Sequence, residues 1–116
     1  MSNITIYHIK GLIDLKDAEV FAYFKTCRNQ LGDNKLSVIQ TLTTSYAQTK
    51  AQSFLAKYKE FFLDKNNRTT VFRFLSERSS NRAYSGNRFS EEFYKLLRTF
   101  ANECDSQPEQ EKETTK

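Results

Sequence analysis

Residues 51–63 read Ala-Gln-Ser-Phe-Leu-Ala-Lys-Tyr-Lys-Glu-Phe-Phe-Leu. The apolar side chains Ala51, Phe54, Leu55, Tyr58, Phe61 and Phe62 recur at spacings of three or four, so one face of an α-helix collects them. The same period runs outward in both directions. Upstream it appears in Leu36, Ile39, Leu42 and Tyr46, and before that in Ala18, Phe21, Ala22, Phe24 and Cys27, closed by Leu31. Downstream it returns in Val71, Phe74 and Leu75, then in Phe93, Leu96, Leu97, Phe100 and Ala101. Three glycines and one proline are too few for an all-β chain built on tight turns. Ten Phe and six Tyr, with no Trp, supply an aromatic core. The fold expected is mainly α, four to five helices around that core.

Local signals set the boundaries. Gly32 stops the Leu15–Gln30 helix, and Asp33 or Asn34 caps the next. Thr41–Ser45 forms helix weakly, which predicts a bend near Tyr46–Thr49. Asp64–Asn67 is a polar connection before a short helix from Thr70 to about Arg78. Ser79–Arg88 has no apolar period and reads as a mobile basic loop, after which Ser90 caps a last helix whose first turn holds Glu91 and Glu92. Residues 3–9, Asn-Ile-Thr-Ile-Tyr-His-Ile, alternate and are β-branched, the pattern of one short N-terminal strand. Gly11 would end it, and Asp14 would cap the helix that follows. A lone strand needs a partner, which makes a homodimer through this strand one expectation, and pairing through the aromatic helix Phe54–Phe62 the other.

At 116 residues the chain is one domain, taken as 1–103, with 104–116 a disordered acidic tail. The formal net charge is +4, unevenly placed: from Glu103 onward it is −3, so residues 1–102 carry +7. Six of the seven arginines fall between Arg68 and Arg98, where seven cations face only Glu77, Glu91 and Glu92. Arginine offers a planar, permanently charged fork of donors that matches phosphate oxygens. Arg68, Arg73, Arg78, Arg82, Arg88, Lys95 and Arg98 are therefore the expected phosphate contacts, with Tyr84 in the loop as the residue to stack on a base or sugar. Arg73 and Arg78 are placed on the solvent side of their helix, and Arg82 and Arg88 in the loop.

Catalytic and metal chemistry have little to stand on. His8 is the one histidine, Cys27 and Cys104 lack metal-type spacing, and Cys27 has no second histidine or resolving cysteine. Asp14, Asp17 and Glu19 are accounted for by capping and the helix dipole. There is no glycine-rich phosphate loop, Gly-x-Ser-x-Gly or HExxH. No cofactor, no metal and no enzyme activity are expected. The chain shows no leader and no apolar run of membrane-spanning length, so the expected setting is a reducing cytosol (nucleoid or host cytosol) or a nucleus.

The order strand, helix, Leu31–Asn34 turn, helix resembles that of the ribbon–helix–helix DNA-binding repressors over residues 3–47. The resemblance implies a dimer whose paired strands enter the major groove, with Thr5 and Tyr7 as outward readers and Asn34–Ser37 on phosphate. Ile9, the third outward position, departs from that pattern because it cannot hydrogen-bond a base edge.

These features converge on a non-catalytic nucleic-acid-binding protein, DNA rather than RNA, using an arginine-rich helix–loop–helix surface. It would serve replication, transcription control or transfer of a small genetic element. The competing expectation is an adaptor or inhibitor that docks an acidic protein through the same arginine face.

Overall fold

The computed structural model describes residues 4–80 and 87–114, with side chains through Arg78 and from Asn87 to Ser106. Five α-helices follow one another: α1 (Ile6–Leu31), α2 (Leu36–Lys57), α3 (Lys59–Leu63), α4 (Lys65–Ser80) and α5 (Arg88–Thr114), with a 3-10 turn at Asp33–Lys35 between the first two. The mainly helical class is as expected. Among the described residues there is no β-strand, and this overturns the N-terminal strand.

Thr5 caps α1 instead. Its hydroxyl accepts from the His8 N–H at 3.3 Å, and His8 Nδ1 accepts from the Thr5 N–H at 3.3 Å, a reciprocal capping box. Ile9, Ile13 and Val20 are then fully buried on one side of the helix. The period-two alternation of residues 3–9 is local, whereas the helical period extends through Val20 and buries more apolar surface. Gly11 does not end an element. It is exposed inside α1, where its cost of about 1 kcal/mol is outweighed by burial of its isoleucine neighbours. Asp14 is likewise inside α1, not at its start. With no strand among the described residues, the strand-paired dimer and the ribbon–helix–helix arrangement lose the element they rest on.

Gly32 does stop α1: at φ 87° it takes the left-handed backbone that glycine tolerates, and its N–H donates to Arg28 O at 2.9 Å. The bend expected near Tyr46–Thr49 is absent. Thr41, Thr43 and Thr49 donate their hydroxyls to carbonyls four residues back, so they stay helical. The break comes at Tyr58 and re-aims the next turn. The Phe62 ring then lies 6.4 Å from Phe54 and 5.5 Å from Phe93. Phe54 also meets Phe89 and Phe93 edge-on at 5.6 and 5.2 Å, forming the aromatic centre of the core. Phe54 and Phe62 are therefore used inside the fold, and the Phe54–Phe62 stripe is not a free dimer face.

Two faces are rotated from their expected direction. In α1 the exposed residues include Ala18 and Ala22, while Asp17 and Val20 point inward; in α2, Leu36 and Leu42 are exposed, and Ile39, Thr43 and Ala47 are buried. The last helix begins at Arg88, two residues before Ser90, with Asn87 O accepting from the Glu91 N–H at 3.1 Å. The composition change after Cys104 does not coincide with its end, since α5 continues to Thr114. Between Arg28 and Leu42 only Ile39 is buried, so the α1–α2 turn and the first half of α2 stand clear of the bundle.

Candidate nucleic-acid interface

Helix α4 repeats its inward positions at Arg68, Val71, Leu75 and Arg78, and this register decides the fate of two arginines. Both are buried, at 4 % and 5 % exposure, and neither is placed to meet a phosphate. Arg78 Nη1 lies 2.6 Å from Asp14 Oδ1, Nη2 lies 2.7 Å from Asp17 Oδ2, and Nε donates to Ser90 Oγ at 3.3 Å. Asp17 also accepts the Ser90 N–H at 2.9 Å and the Ser90 hydroxyl at 2.5 Å. This network ties α1, α4 and α5 together, with Asn87 Nδ2 donating to Arg78 O at 3.3 Å beside it. Burial pushes the Asp17 carboxyl above its ordinary value, opposed by the Ser90 hydrogen bonds and by Arg78. Ser90, expected as a helix cap, is thus a buried partner of Asp17.

Arg68 does a different structural job. Its Nη1 donates to Phe62 O and Leu63 O, both at 2.9 Å, satisfying the carbonyls that end α3; its Nη2 meets Asp105 at 3.0 Å. The expectation that Arg68 and Arg78 face solvent therefore gives way to a lattice of internal hydrogen bonds.

Of the other described cations, Arg73, Lys95 and Arg98 are exposed and Arg88 is half-buried. Arg73 is exposed on α4, and Arg98 is exposed on α5; neither has an ion-pair partner among the described residues. Arg88 opens α5 and donates to Thr44 Oγ1 of α2 at 3.1 Å, so it belongs to a helix and not to the loop. Lys95 is two turns further along the same edge of α5, with 72 % of its side chain exposed and Nζ 3.4 Å from Glu92. Arg82 and Tyr84 lie outside the described residues.

Arg88 and Lys95 flank a groove between α2 and α5. Its α2 wall is formed by Ser37, Gln40, Thr41, Thr44, Ser45 and Gln48 near Arg88, and by Gln48 and Gln52 near Lys95. From Leu36 to Lys57 helix α2 contains no acidic residue. Among the described residues the one carboxylate lining the groove is Glu92, which is buried and held by Gln48 at 3.2 Å and by Lys95. Sequence reasoning treated Thr41–Ser45 only as a weak helix former. The missed signal was the run of hydroxyls and amides at helical spacing with no acid among them.

Along the α1–α2 seam, Tyr23 and Tyr46 stack at 4.1 Å, and Lys50 holds Glu19 at 2.8 Å, which keeps the Glu19 carboxyl below its ordinary value. Cys27 is buried in α1 and Cys104 half-buried in α5, both as free thiols. Among the described residues no group of His, Cys, Asp or Glu side chains could hold a metal ion, and no helix is long and apolar enough to cross a membrane. No family model, curated protein or solved structure matches the chain.

Proposed function

We propose that this protein binds nucleic acid without catalysis, holding phosphates along the outer side of α5 and the adjoining face of α2. The observation that carries the reading is the pairing of an acid-free helix with a row of cations, Arg88 half-buried against it and Lys95 and Arg98 exposed. Arg88, Lys95 and Arg98 follow α5 over ten residues, a rise of about 15 Å. Beside them α2 offers the Ser37 and Ser45 hydroxyls and the Gln40 amide, which donate to phosphate and sugar oxygens without repelling them. Arg73 adds charge on α4. The basic balance of residues 1–102 supports the same reading.

Docking of an acidic protein is the second reading, favoured by one observation: Val38 and Leu42, at 49 % and 39 % exposure, lie beside the polar strip of α2. Fluorescence anisotropy with labelled single- and double-stranded DNA and RNA at several salt concentrations separates the two. Nucleic-acid binding should weaken by orders of magnitude between low and moderate salt. In an Arg88→Gln/Lys95→Gln/Arg98→Gln variant, the slope of log K against log salt should flatten by about 3, one for each lost phosphate contact. Absence of binding at low salt, in protein shown by circular dichroism to be folded, refutes the proposal and leaves the protein-docking reading.

A further inference from the structure

We infer that α2 is a major-groove helix: its outer face reads base edges of double-stranded DNA, with cations at its end and flank on the phosphates. The inference rests on the nucleic-acid reading above and names the form of nucleic acid and the element that reads it.

Access is the first argument. A helix with its side chains is about 10–12 Å across, and the major groove of B-DNA is about 12 Å wide. The first half of α2 stands clear of the bundle, since from Arg28 to Leu42 only Ile39 is buried. The rest of the helix is anchored through Ala47, Ala51 and Phe54 in the core, so the exposed half is presented rigidly.

Chemistry is the second. Base edges are distinguished by short-range donors and acceptors, with bidentate amides for adenine and hydroxyls for either base. Ser37, Gln40, Thr41 and Ser45 supply that set, all exposed. Gln40 has no hydrogen-bond partner among the described residues, which leaves both ends of its amide for an adenine. The Thr41 hydroxyl already donates to Ser37 O at 3.1 Å, so toward a base edge its oxygen can only accept, and the residue is exposed. Among the described residues no aromatic side chain lines the α2–α5 groove as a platform for unstacked single strands.

Charge is the third. Lys35 is exposed at the N-terminal end of α2, and Arg88 is held against its flank by Thr44. These two positions suit the phosphates bordering a groove that α2 enters. No carboxylate on α2 opposes them.

The test is selection from a duplex library with a randomised centre, followed by anisotropy on the selected duplex, a scrambled duplex and the corresponding single strands. Gln40→Ala/Thr41→Ala is the diagnostic variant, because alanine at exposed helical positions preserves the helix. Wild type should enrich a motif. The variant should lose the preference for selected over scrambled duplex by about five-fold or more. Lys35→Gln/Arg88→Gln should weaken both duplexes together. Binding to duplex with no enriched motif, an unchanged preference in Gln40→Ala/Thr41→Ala, or tighter binding to single strands or RNA overturns the inference and leaves the broader function standing. No binding to any nucleic acid overturns both.

Discussion

Replacing Arg78 with methionine tests the largest departure of the structure from the surface expected of this chain. Methionine keeps an unbranched apolar stem and removes the guanidinium that sits 5.3 Å over the Phe74 ring and contacts Asp14, Asp17 and Ser90. Arg78 and Asp17 are each almost wholly buried, at 6 % and 5 % side-chain exposure, whereas Asp14 is half exposed. Water can compensate Asp14 for the lost partner but cannot reach Asp17. Breaking one side of a buried pair costs about 3–5 kcal/mol. That is a large part of the roughly 5–15 kcal/mol that holds a domain together. At about 4 °C per kcal/mol, the melting temperature should fall by about 12–20 °C. Urea denaturation followed by circular dichroism gives the free energy directly. Adding Asp17→Asn to the variant should cost less than it does in wild type, with a coupling of about 1–3 kcal/mol in the double-mutant cycle. A loss below about 1 kcal/mol with no coupling would refute the buried network and return Arg78 to the solvent-facing cations. A second readout bears on the same point: below its melting temperature, Arg78→Met should keep the wild-type salt slope for nucleic acid.

Three further outcomes follow from individual contacts. Gly11→Ala should stabilise the protein by about 0.5–1 kcal/mol, because the position is mid-helix and a Cβ there meets nothing within 4 Å; a lowered urea midpoint would contradict a helical N-terminus. Arg68→Ala should cost about 2–4 kcal/mol by stripping two carbonyls of their donor, while Asp105→Ala should cost about 0–1 kcal/mol because Asp105 is half exposed; equal costs in thermal melts would mean that the ion pair, not the capping, matters. The pH profile has a defined sign. Burial raises the Asp17 carboxyl above its unfolded value of 3.8, so as pH falls through the raised folded value the native state takes up the proton first and gains stability. The stability of wild type relative to Asp17→Asn should therefore increase from neutral pH toward 3.8. Glu19 works the other way: Lys50 holds it below 4.5, so its contribution is present above that value and fades below it. A wild-type advantage that shrinks on acidification would refute the assignment at Asp17.

The helical class was legible because the 3.6 period repeats across most of the chain, and the aromatic centre because phenylalanine falls on that period. The N-terminus misled for a local reason. Over residues 3–9 alternation and helix both place isoleucines together, and only Ile13 and Val20, beyond Gly11, decide between them. The buried arginines show a different obstacle. Arg68 and Arg78 occur at the same spacing as Val71 and Leu75, so the register that buries them is present in the sequence. Their partners are not: Asp17 is 61 residues from Arg78, and Asp105 is 37 from Arg68. Arginine spacing alone therefore could not separate cations that cap and pair from cations that face water. The α2 strip is hidden in the sequence because threonine and serine rank low in helix propensity, and what they present appears only once tertiary packing fixes the helix.

The two arginines lost to the interior do not weaken the electrostatic case, because neither is buried alone. Arg78 takes Asp14 and Asp17 with it, and Arg68 takes Asp105 from the acidic segment. Within residues 1–102 that removes two cations and two acids, and the balance outside this network stays at +7. What changes is where the charge can act. With Arg68 and Arg78 committed to holding α1, α3 and α5 against α4, Arg88 and Lys95 line the α2–α5 groove as a border and not a patch. Arg88 is bonded directly to α2 at the edge of that border. A border of cations beside an acid-free helix suits a partner whose own negative charge lies in two rails with hydrogen-bonding groups between them, and duplex DNA has that form. A flat acidic protein surface would be better met by arginines spread over both faces of the α4–α5 pair, the arrangement that burial of Arg68 and Arg78 removes.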